Sequence, residues 1–231
     1  TVCLQSRMLN LAKGPAVHSL RQQADRRAYH RYMKNVVENT KNLDLIQAEI
    51  TKIRPKGDLW ELVTKFGAVY EAKAVIICSG TYLDSAIFVG DKTFEAGPDS
   101  LLPSKGLADS LRENGVKLMR FKTGTPARVK RQSIDFSQLE EQPGEGSALP
   151  FSVLSDENMF DTVEQIPCHI VYTNANTHGI IHKNIKRSAL YSGQIHGTGP
   201  RYCPSIEDKI VRFADKERHQ LFVEPLGEDT E

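Results

Sequence analysis

No apolar run in these 231 residues approaches the roughly 20 that a membrane-crossing helix needs. The opening stretch, Thr1-Val2-Cys3-Leu4-Gln5, has no basic region followed by an apolar core, so no secretory signal is visible. Only four cysteines occur, Cys3, Cys78, Cys168 and Cys203, and no two are spaced as Cys-x-x-Cys. This spacing excludes a zinc ribbon and the disulfide density of a small secreted scaffold. A reducing cytoplasm is the simplest setting for such a chain. Formal charge is nearly balanced at +1, so global electrostatics do not announce a nucleic-acid binder. Internal repeats and low-complexity tracts are lacking. Of His169, His178, His182 and His196, only His178 and His182 stand four residues apart. Gly179 between them, and no Glu at the second position, argue against a metalloprotease helix, and no metal site is expected.

What is present fits a folded chain of one large domain or two small ones. The hydrophobic fraction is 39% and the charged fraction 26%. From residue 16 to about 39, Val17, Leu20, Ala24, Ala28, Tyr32 and Val36 recur every three or four positions, which predicts a helix. Its outer face is basic: from His18 to Lys34 it carries Arg21, Arg26, Arg27, Arg31 and Lys34 against Asp25 alone. Such a face suits RNA phosphates or simply water. Residues 43–50 read as a strand, 59–64 and 69–71 as two more, with turns at Gly57 and Gly67. The resulting β-meander feeds the apolar run Val75-Ile76-Ile77-Cys78-Ser79-Gly80-Thr81. This predicts a buried parallel strand with a tight exit and an inert thiol at Cys78. That element order is the one found in flavoproteins of the two-dinucleotide-binding type, where small residues at a strand exit let the backbone meet the nucleotide. Ser104 opens an expected helix through Leu107 and Leu111 that Gly115 ends, and residues 116–122 alternate as a strand. Loops dominate 137–165. A strand over 166–172 and a short helix over 178–184 follow. The texture changes after Pro126, which places a domain boundary there: 1–125 and 126–231.

The stretch Gly199-Pro200-Arg201-Tyr202-Cys203-Pro204-Ser205-Ile206-Glu207-Asp208-Lys209-Ile210-Val211-Arg212-Phe213 carries the sharpest chemical signal. Ser205 and Asp208 have capping-box spacing, and the apolar recurrence after them predicts a helix. A thiol just outside a helix start, near Arg201 and Lys209, is favoured as the thiolate. The same N–H groups suit a nucleotide phosphate.

Several words of the sequence resemble the GidA/MnmG family of flavoproteins that modify the wobble uridine of certain transfer RNAs. They are Lys13-Gly14-Pro15-Ala16-Val17, Gln23-Ala24-Asp25-Arg26, Gly80-Thr81-Tyr82-Leu83-Asp84, Lys122-Thr123-Gly124-Thr125-Pro126-Ala127-Arg128, Thr173-Asn174, Thr177-His178, the stretch from Cys203, and His219-Gln220-Leu221-Phe222-Val223-Glu224-Pro225. The resemblance runs end to end and in order. It implies an α/β fold: part of a Rossmann-like FAD-binding domain with its β-meander over 1–125, plus an inserted α+β domain over 126–231. No Gly-x-Gly-x-x-Gly turn follows a strand at the start, so the resemblance implies an internal fragment from which catalysis alone is not expected.

The resemblance further implies FAD and NAD(H) as cofactors, a folate-derived one-carbon unit, tRNA as substrate, the GTPase MnmE as partner and a homodimer at full length. Glu49 falls where the family's backbone meets the adenine of FAD. Gly80 and Thr81 form the nucleotide-contacting exit, and Leu101 falls at a flavin contact where the family often has serine. Residues 199–213 fall at the nicotinamide-dinucleotide contact. Cys203 is the candidate nucleophile, by addition to C6 of the uridine, although the two assignments compete for one space. Arg21, Arg27, Arg31 and Lys34 are the candidate tRNA contacts. Two other classes stay open: a small-molecule flavin oxidoreductase without RNA, and a purely interacting module.

Overall fold

The computed structural model describes residues 2–146, 150, 152–156, 158, 163–195, 197 and 205–230. The chain forms two compact units, each assembled from separate stretches. One takes Thr1–Leu45, Pro126–Ala175 and Asp215–Glu231; the other takes Ile46–Thr125 and Asn176–Ala214.

The first unit is organised around strand β1 (Cys3–Leu9), whose first four residues are buried. It pairs antiparallel with β2 (Ser19–Ala24), from Cys3 opposite Ala24 to Leu9 opposite Ser19. The other edge of β1 is held by loop groups. The N–H of Ile166 donates to the Leu4 carbonyl at 2.8 Å, and the N–H of Glu145 donates to that of Ser6 at 2.8 Å. The Ser6 N–H donates to the Gln165 side-chain oxygen at 2.7 Å, and the Gln5 amide donates to the Gln142 carbonyl at 2.8 Å. A buried strand must satisfy every backbone group, and these loops complete what β2 leaves open. A second sheet joins β8 (Glu140–Gln142), β9 (Cys168–Tyr172) and β10 (Gln220–Val223) in the antiparallel order β10-β9-β8.

The strand β2 corrects the helix expected from residue 16. Its apolar positions, three to four apart, fit a helix by period. Pairing with β1 wins instead: Leu20 and Ala24, four apart, share one face of a strand as they would of a helix, and the buried β1 lies opposite to pair with. Helix α1 starts only at Arg26 and runs to Glu38. Asp25 is its N-cap: one carboxylate oxygen accepts from the Ala28 N–H at 2.7 Å and the other from the Glu228 N–H at 3.0 Å. Gly227 lies so close that a Cβ there would stand 2.5 Å from the Asp25 carboxylate. Only glycine permits that approach.

The second unit contains the meander β3 (Ile50–Lys56), β4 (Leu59–Thr64) and β5 (Val69–Ala72), antiparallel in that order. Residues 43–49 are not strand as expected; pairing with β4 begins at Ile50. Helix α2 (Leu107–Glu113) packs on β3, with Ile53, Leu107 and Leu111 buried and Trp60, Val75, Leu83 and Leu118 against them. The hairpin β6 (Ala86–Val89) and β7 (Lys92–Glu95) follows β5. Helices α3 (Ala175–Asn184) and α4 (Ile206–Arg212) come later in the chain.

Two further expectations are corrected here. Residues 73–79 are irregular, Ile76 is 88% exposed, and Cys78 is exposed rather than buried. An apolar run becomes a parallel strand only beside a pairing partner. Among the described residues no strand lies alongside it, and the sole parallel pairing is an isolated bridge between Leu83 and Ser104. Residues 116–120 are likewise irregular.

Among the described residues the buried thiols are Cys3 and Cys168. Burial pushes both above the ordinary thiol range, so neither is a ready thiolate. Alkylation of the native 231-residue chain, followed by peptide mass spectrometry, should therefore modify Cys78 at least about tenfold faster than Cys3 or Cys168. The backbone donors Ala28 and Glu228 hold the Asp25 carboxyl below its ordinary value of 3.8. A depressed folded-state value gives stabilisation that is complete above 3.8 and lost as pH falls through the lower folded value. Asp25→Asn should lower the thermal midpoint by a few degrees at neutral pH and flatten the loss of stability below that value, measured by circular dichroism across pH.

Candidate functional site

Within the second unit, the turn after the irregular run and the loop before α2 are bound together. Gly80 sits at φ +54, with nothing near the position of a Cβ. The Tyr82 N–H donates to the Ser79 carbonyl at 3.1 Å and closes the turn that holds Gly80 and Thr81. From there the Tyr82 carbonyl accepts from the Ser104 N–H, and the Asp84 N–H donates to the Ser104 carbonyl, both at 2.9 Å. The Tyr82 ring lies against Gly97, where a Cβ would come within 2.5 Å of it. Gly97 in turn donates to the Leu101 carbonyl at 2.7 Å, closing a tight loop in which Asp99 and Ser100 have positive φ. Gly80, Thr81 and Leu101 are thus brought into one loop cluster, with Thr81 and Leu101 exposed. Glu49 belongs to the same unit. Its carbonyl accepts from the Lys65 N–H and its carboxylate from Lys65 Nζ, both at 2.9 Å, which anchors the start of the meander.

Asp84 is the polar hub of this cluster. Its carboxylate accepts from Lys105 Nζ at 2.8 Å and from Arg120 Nη2 at 3.3 Å, and its carbonyl accepts from Arg120 Nη1 at 2.6 Å. Lys105 also reaches Glu95 at 2.9 Å. The Lys105 hydrogen bond, before any other influence and against partial burial, holds the Asp84 carboxyl below its usual range. Sequence reasoning missed Lys105 and Arg120. The local signal was Asp84 at the end of the Gly-Thr-Tyr-Leu-Asp word. Nothing in spacing ties it to an arginine 36 positions away.

Of the 199–213 stretch, Gly199, Pro200, Arg201, Tyr202, Cys203 and Pro204 lie outside the described residues. From Ser205 onward the expected helix is present as α4, with Ser205 at the N-cap position. The capping box is not closed: the Ser205 side chain makes no cap bond, and its buried hydroxyl has no partner among the described residues. Asp208 faces elsewhere, accepting from Tyr191 OH and from Arg212 Nε, each at 3.1 Å. Glu207 accepts from Ser188 Oγ at 2.9 Å. Burial, reinforced by the Asp208 bond, raises the Tyr191 phenol above its ordinary range and keeps it a donor. Ile210 is buried, Ile206 and Lys209 are half-buried, and Val211, Arg212 and Phe213 are exposed.

In the first unit, the structure separates the basic candidates. Arg27, Arg31 and Lys34 are exposed on α1 within two turns. Arg21 lies on β2 instead, paired with Glu224 and donating to Gln23 at 3.0 Å. Tyr29, Tyr32, Met33 and Val36 on α1 are exposed as well. No helix among the described residues is long and apolar enough to cross a membrane.

The family model described as "Glucose inhibited division protein A" matches residues 1–231. A tRNA uridine 5-carboxymethylaminomethyl modification enzyme MnmG of Clostridium botulinum (strain Loch Maree / Type A3) is 52% identical over 229 residues, covering 99% of this chain and 36% of that protein. The enzyme of the same name from Caldicellulosiruptor saccharolyticus is 50% identical over 229 residues, with 99% and 36% covered. The solved structure of Aquifex aeolicus GidA in the form I crystal matches with a TM-score of 0.87 at 47% identity, over 99% of this chain and 39% of that one. The chain therefore spans 36% of the length of the curated relatives it matches. Its fold class is α/β of the Rossmann-like type, as in the GidA region it overlays. A family model matched along the whole chain, and relatives half identical to it, make this chain a member of the glucose inhibited division protein A (GidA) family.

Proposed function

We propose that this chain is a segment of an enzyme that installs a carboxymethylaminomethyl group at C5 of the wobble uridine (U34) of tRNA. The observation that carries the reading is 52% identity, across 99% of the chain, to enzymes bearing that name. In this reading residues 1–125 supply part of the FAD-binding domain and 126–231 the inserted domain, a division along the sequence that the two compact units cross, since 1–45 fold with 126–175 and 215–231. The full-length protein acts as a homodimer with the GTPase MnmE in the cytoplasm.

The loop cluster fits a flavin nucleotide. Gly80 adopts a left-handed φ with open space around it, Thr81 and Leu101 are exposed beside it, and Glu49 starts the adjoining meander. A backbone that lacks side-chain cover is what a closely approaching phosphate or ribose requires. When bound, FAD supplies hydride transfer to the modification, and NAD(H) held by residues 199–213 supplies the reducing equivalents. The chain's own chemistry falls to Cys203. The C5 carbon of a neutral uracil is a poor nucleophile. Addition of a thiolate at C6 forms an S–C6 bond at the expense of the C5=C6 π bond and leaves C5 enolate-like, able to attack a one-carbon electrophile; loss of the C5 proton to a base and departure of the thiolate then restore the C5=C6 bond and the free cysteine. The flanking Arg201 and Lys209 favour the thiolate by charge.

RNA binding draws on Arg27, Arg31 and Lys34, exposed together on α1 with Lys34 in an exposed pair with Glu38 at 3.6 Å, more than on Arg21, which is held by Glu224. In a protein of the relatives' length carrying this segment, alanine at Arg27, Arg31 or Lys34 should weaken tRNA binding. Each lost phosphate contact should lower the slope of log affinity against log salt by roughly one. Arg21→Ala should lower thermal stability with less change in slope. Unchanged affinity and slope in the triple variant would remove the α1 contact.

Cys203→Ser in the same protein should abolish uridine modification while flavin absorbance and the melting temperature stay as in the parent, because a serine hydroxyl is a far weaker nucleophile at neutral pH. Nucleoside analysis of the modified tRNA decides it. Near-parental modification would sink the nucleophile role.

A further inference from the structure

A continuous chain of hydrogen bonds joins the Gly80-Thr81 turn to the start of α2. The Tyr82 N–H closes the turn on the Ser79 carbonyl at 3.1 Å. The next two bonds run to a single residue. The Ser104 N–H donates to the Tyr82 carbonyl, and the Asp84 N–H donates to the Ser104 carbonyl, each at 2.9 Å. Lys105, the neighbour of Ser104, returns to the same segment, with Nζ donating to the Asp84 carboxylate at 2.8 Å. Residues 82–84 are thus fastened to Ser104 and Lys105 by backbone and by side chain together. Arg120 fastens Asp84 as well, donating to its carbonyl at 2.6 Å and to its carboxylate at 3.3 Å. Asp84 stands at φ +48, a left-handed conformation that a non-glycine residue keeps only where its surroundings impose it. Leu83, between the two backbone bonds, packs on the core of Ile53, Leu107 and Leu111, and α2 begins at Leu107.

We infer that Asp84, Lys105 and Arg120 form a clamp that sets the conformation of the Gly80-Thr81 turn against α2, so that the turn is pre-arranged for a nucleotide before one arrives. All three are positioning residues, acting through the turn they hold. The consequence for a ligand rests on the functional reading above, in which this turn meets the flavin nucleotide. With the backbone bonds alone, Asp84 could relax out of the left-handed region and carry Tyr82 with it. The two cations remove that freedom by engaging its carboxylate and its carbonyl. A turn already ordered loses less conformational freedom on binding, and that difference appears as affinity. The Lys105 side chain is 43% exposed and that of Asp84 32%. Exposed ion pairs add little to global stability, so the clamp acts on local order rather than on the melting temperature.

The test uses a protein of the relatives' length carrying this segment. Lys105→Met keeps an aliphatic chain and removes the ammonium. Asp84→Asn tolerates the left-handed φ and removes the charge. Arg120→Lys loses the planar fork that reaches two acceptors at once. Hydrogen exchange is measured first, on the cofactor-free protein. Each variant should speed amide exchange in residues 79–85 about threefold or more, with exchange in β3 and β4 unchanged. The melting temperature should stay within about two degrees of the parent's. The dissociation constant for FAD is measured second. It should rise about threefold or more in each variant, and Lys105→Met combined with Asp84→Asn should be no worse than the stronger single change. Unchanged exchange in residues 79–85, or faster exchange with unchanged FAD affinity, overturns the clamp. The parent separates that failure from failure of the flavin reading. Added FAD should slow exchange in residues 79–85 of the parent; a parent in which it does not removes the flavin from this turn, and the clamp's ligand with it.

Discussion

The second unit depends on how one strand edge is satisfied. β3 pairs with β4 on one side only, and an open edge leaves backbone groups unpaired. At Ile53, Ser110 of α2 closes that edge with a single hydroxyl. It accepts from the Ile53 N–H and donates to the Ile53 carbonyl, both at 2.8 Å. Asn114 adds a second donor to the same carbonyl at 2.9 Å. Ser110 is 2% exposed, so these bonds replace water rather than compete with it. With α2 fixed on β3, Leu107 and Leu111 are carried into the core beside Ile53. Gly106 comes to rest against Thr51 at φ +83, and Ser104 and Lys105 are delivered to Tyr82 and Asp84. The loop cluster inherits its geometry from that one polar contact.

The first unit solves the opposite problem. β1 is buried from Cys3 to Ser6, and loop backbone does the work of a second neighbouring strand. The N-terminus of α1 is satisfied by Asp25, which also accepts from the segment after β10. Asp25 therefore joins two distant stretches of chain as well as capping a helix. The close packing of Gly227 against it follows from that double duty.

The thiols divide by environment. Cys3 and Cys168 are hydrophobic filling whose burial suppresses ionisation. Cys78 lies in an apolar run that is irregular and exposed here, with Ile76 and Ile77 exposed beside it. The run has the composition of a buried parallel strand. No strand pairs with it among the described residues. Composition states what a segment can become, and neighbours decide whether it does.

Much of the architecture was legible beforehand where a local rule suffices. The Lys56-Gly57-Asp58 turn fixed the β3–β4 hairpin, and Gly115 marked the end of α2. Family words running the length of the chain identified its kinship, which the family model and the relatives support. Periodicity failed at residues 19–24, because Leu20 and Ala24, four apart, share a face in a strand as well as in a helix, and β1 lies opposite to pair with. It failed again at 73–79 and 116–120, where no partner strand is present among the described residues. Arg21 changed from a helix-face cation to the ion-pair partner of Glu224 for the same reason. The sequence by itself determined the turn chemistry, the helix caps available and the family. Tertiary structure alone decided which carboxylate meets which cation, because Asp84, Lys105 and Arg120 are brought together by packing on a core, and no local spacing encodes that distance.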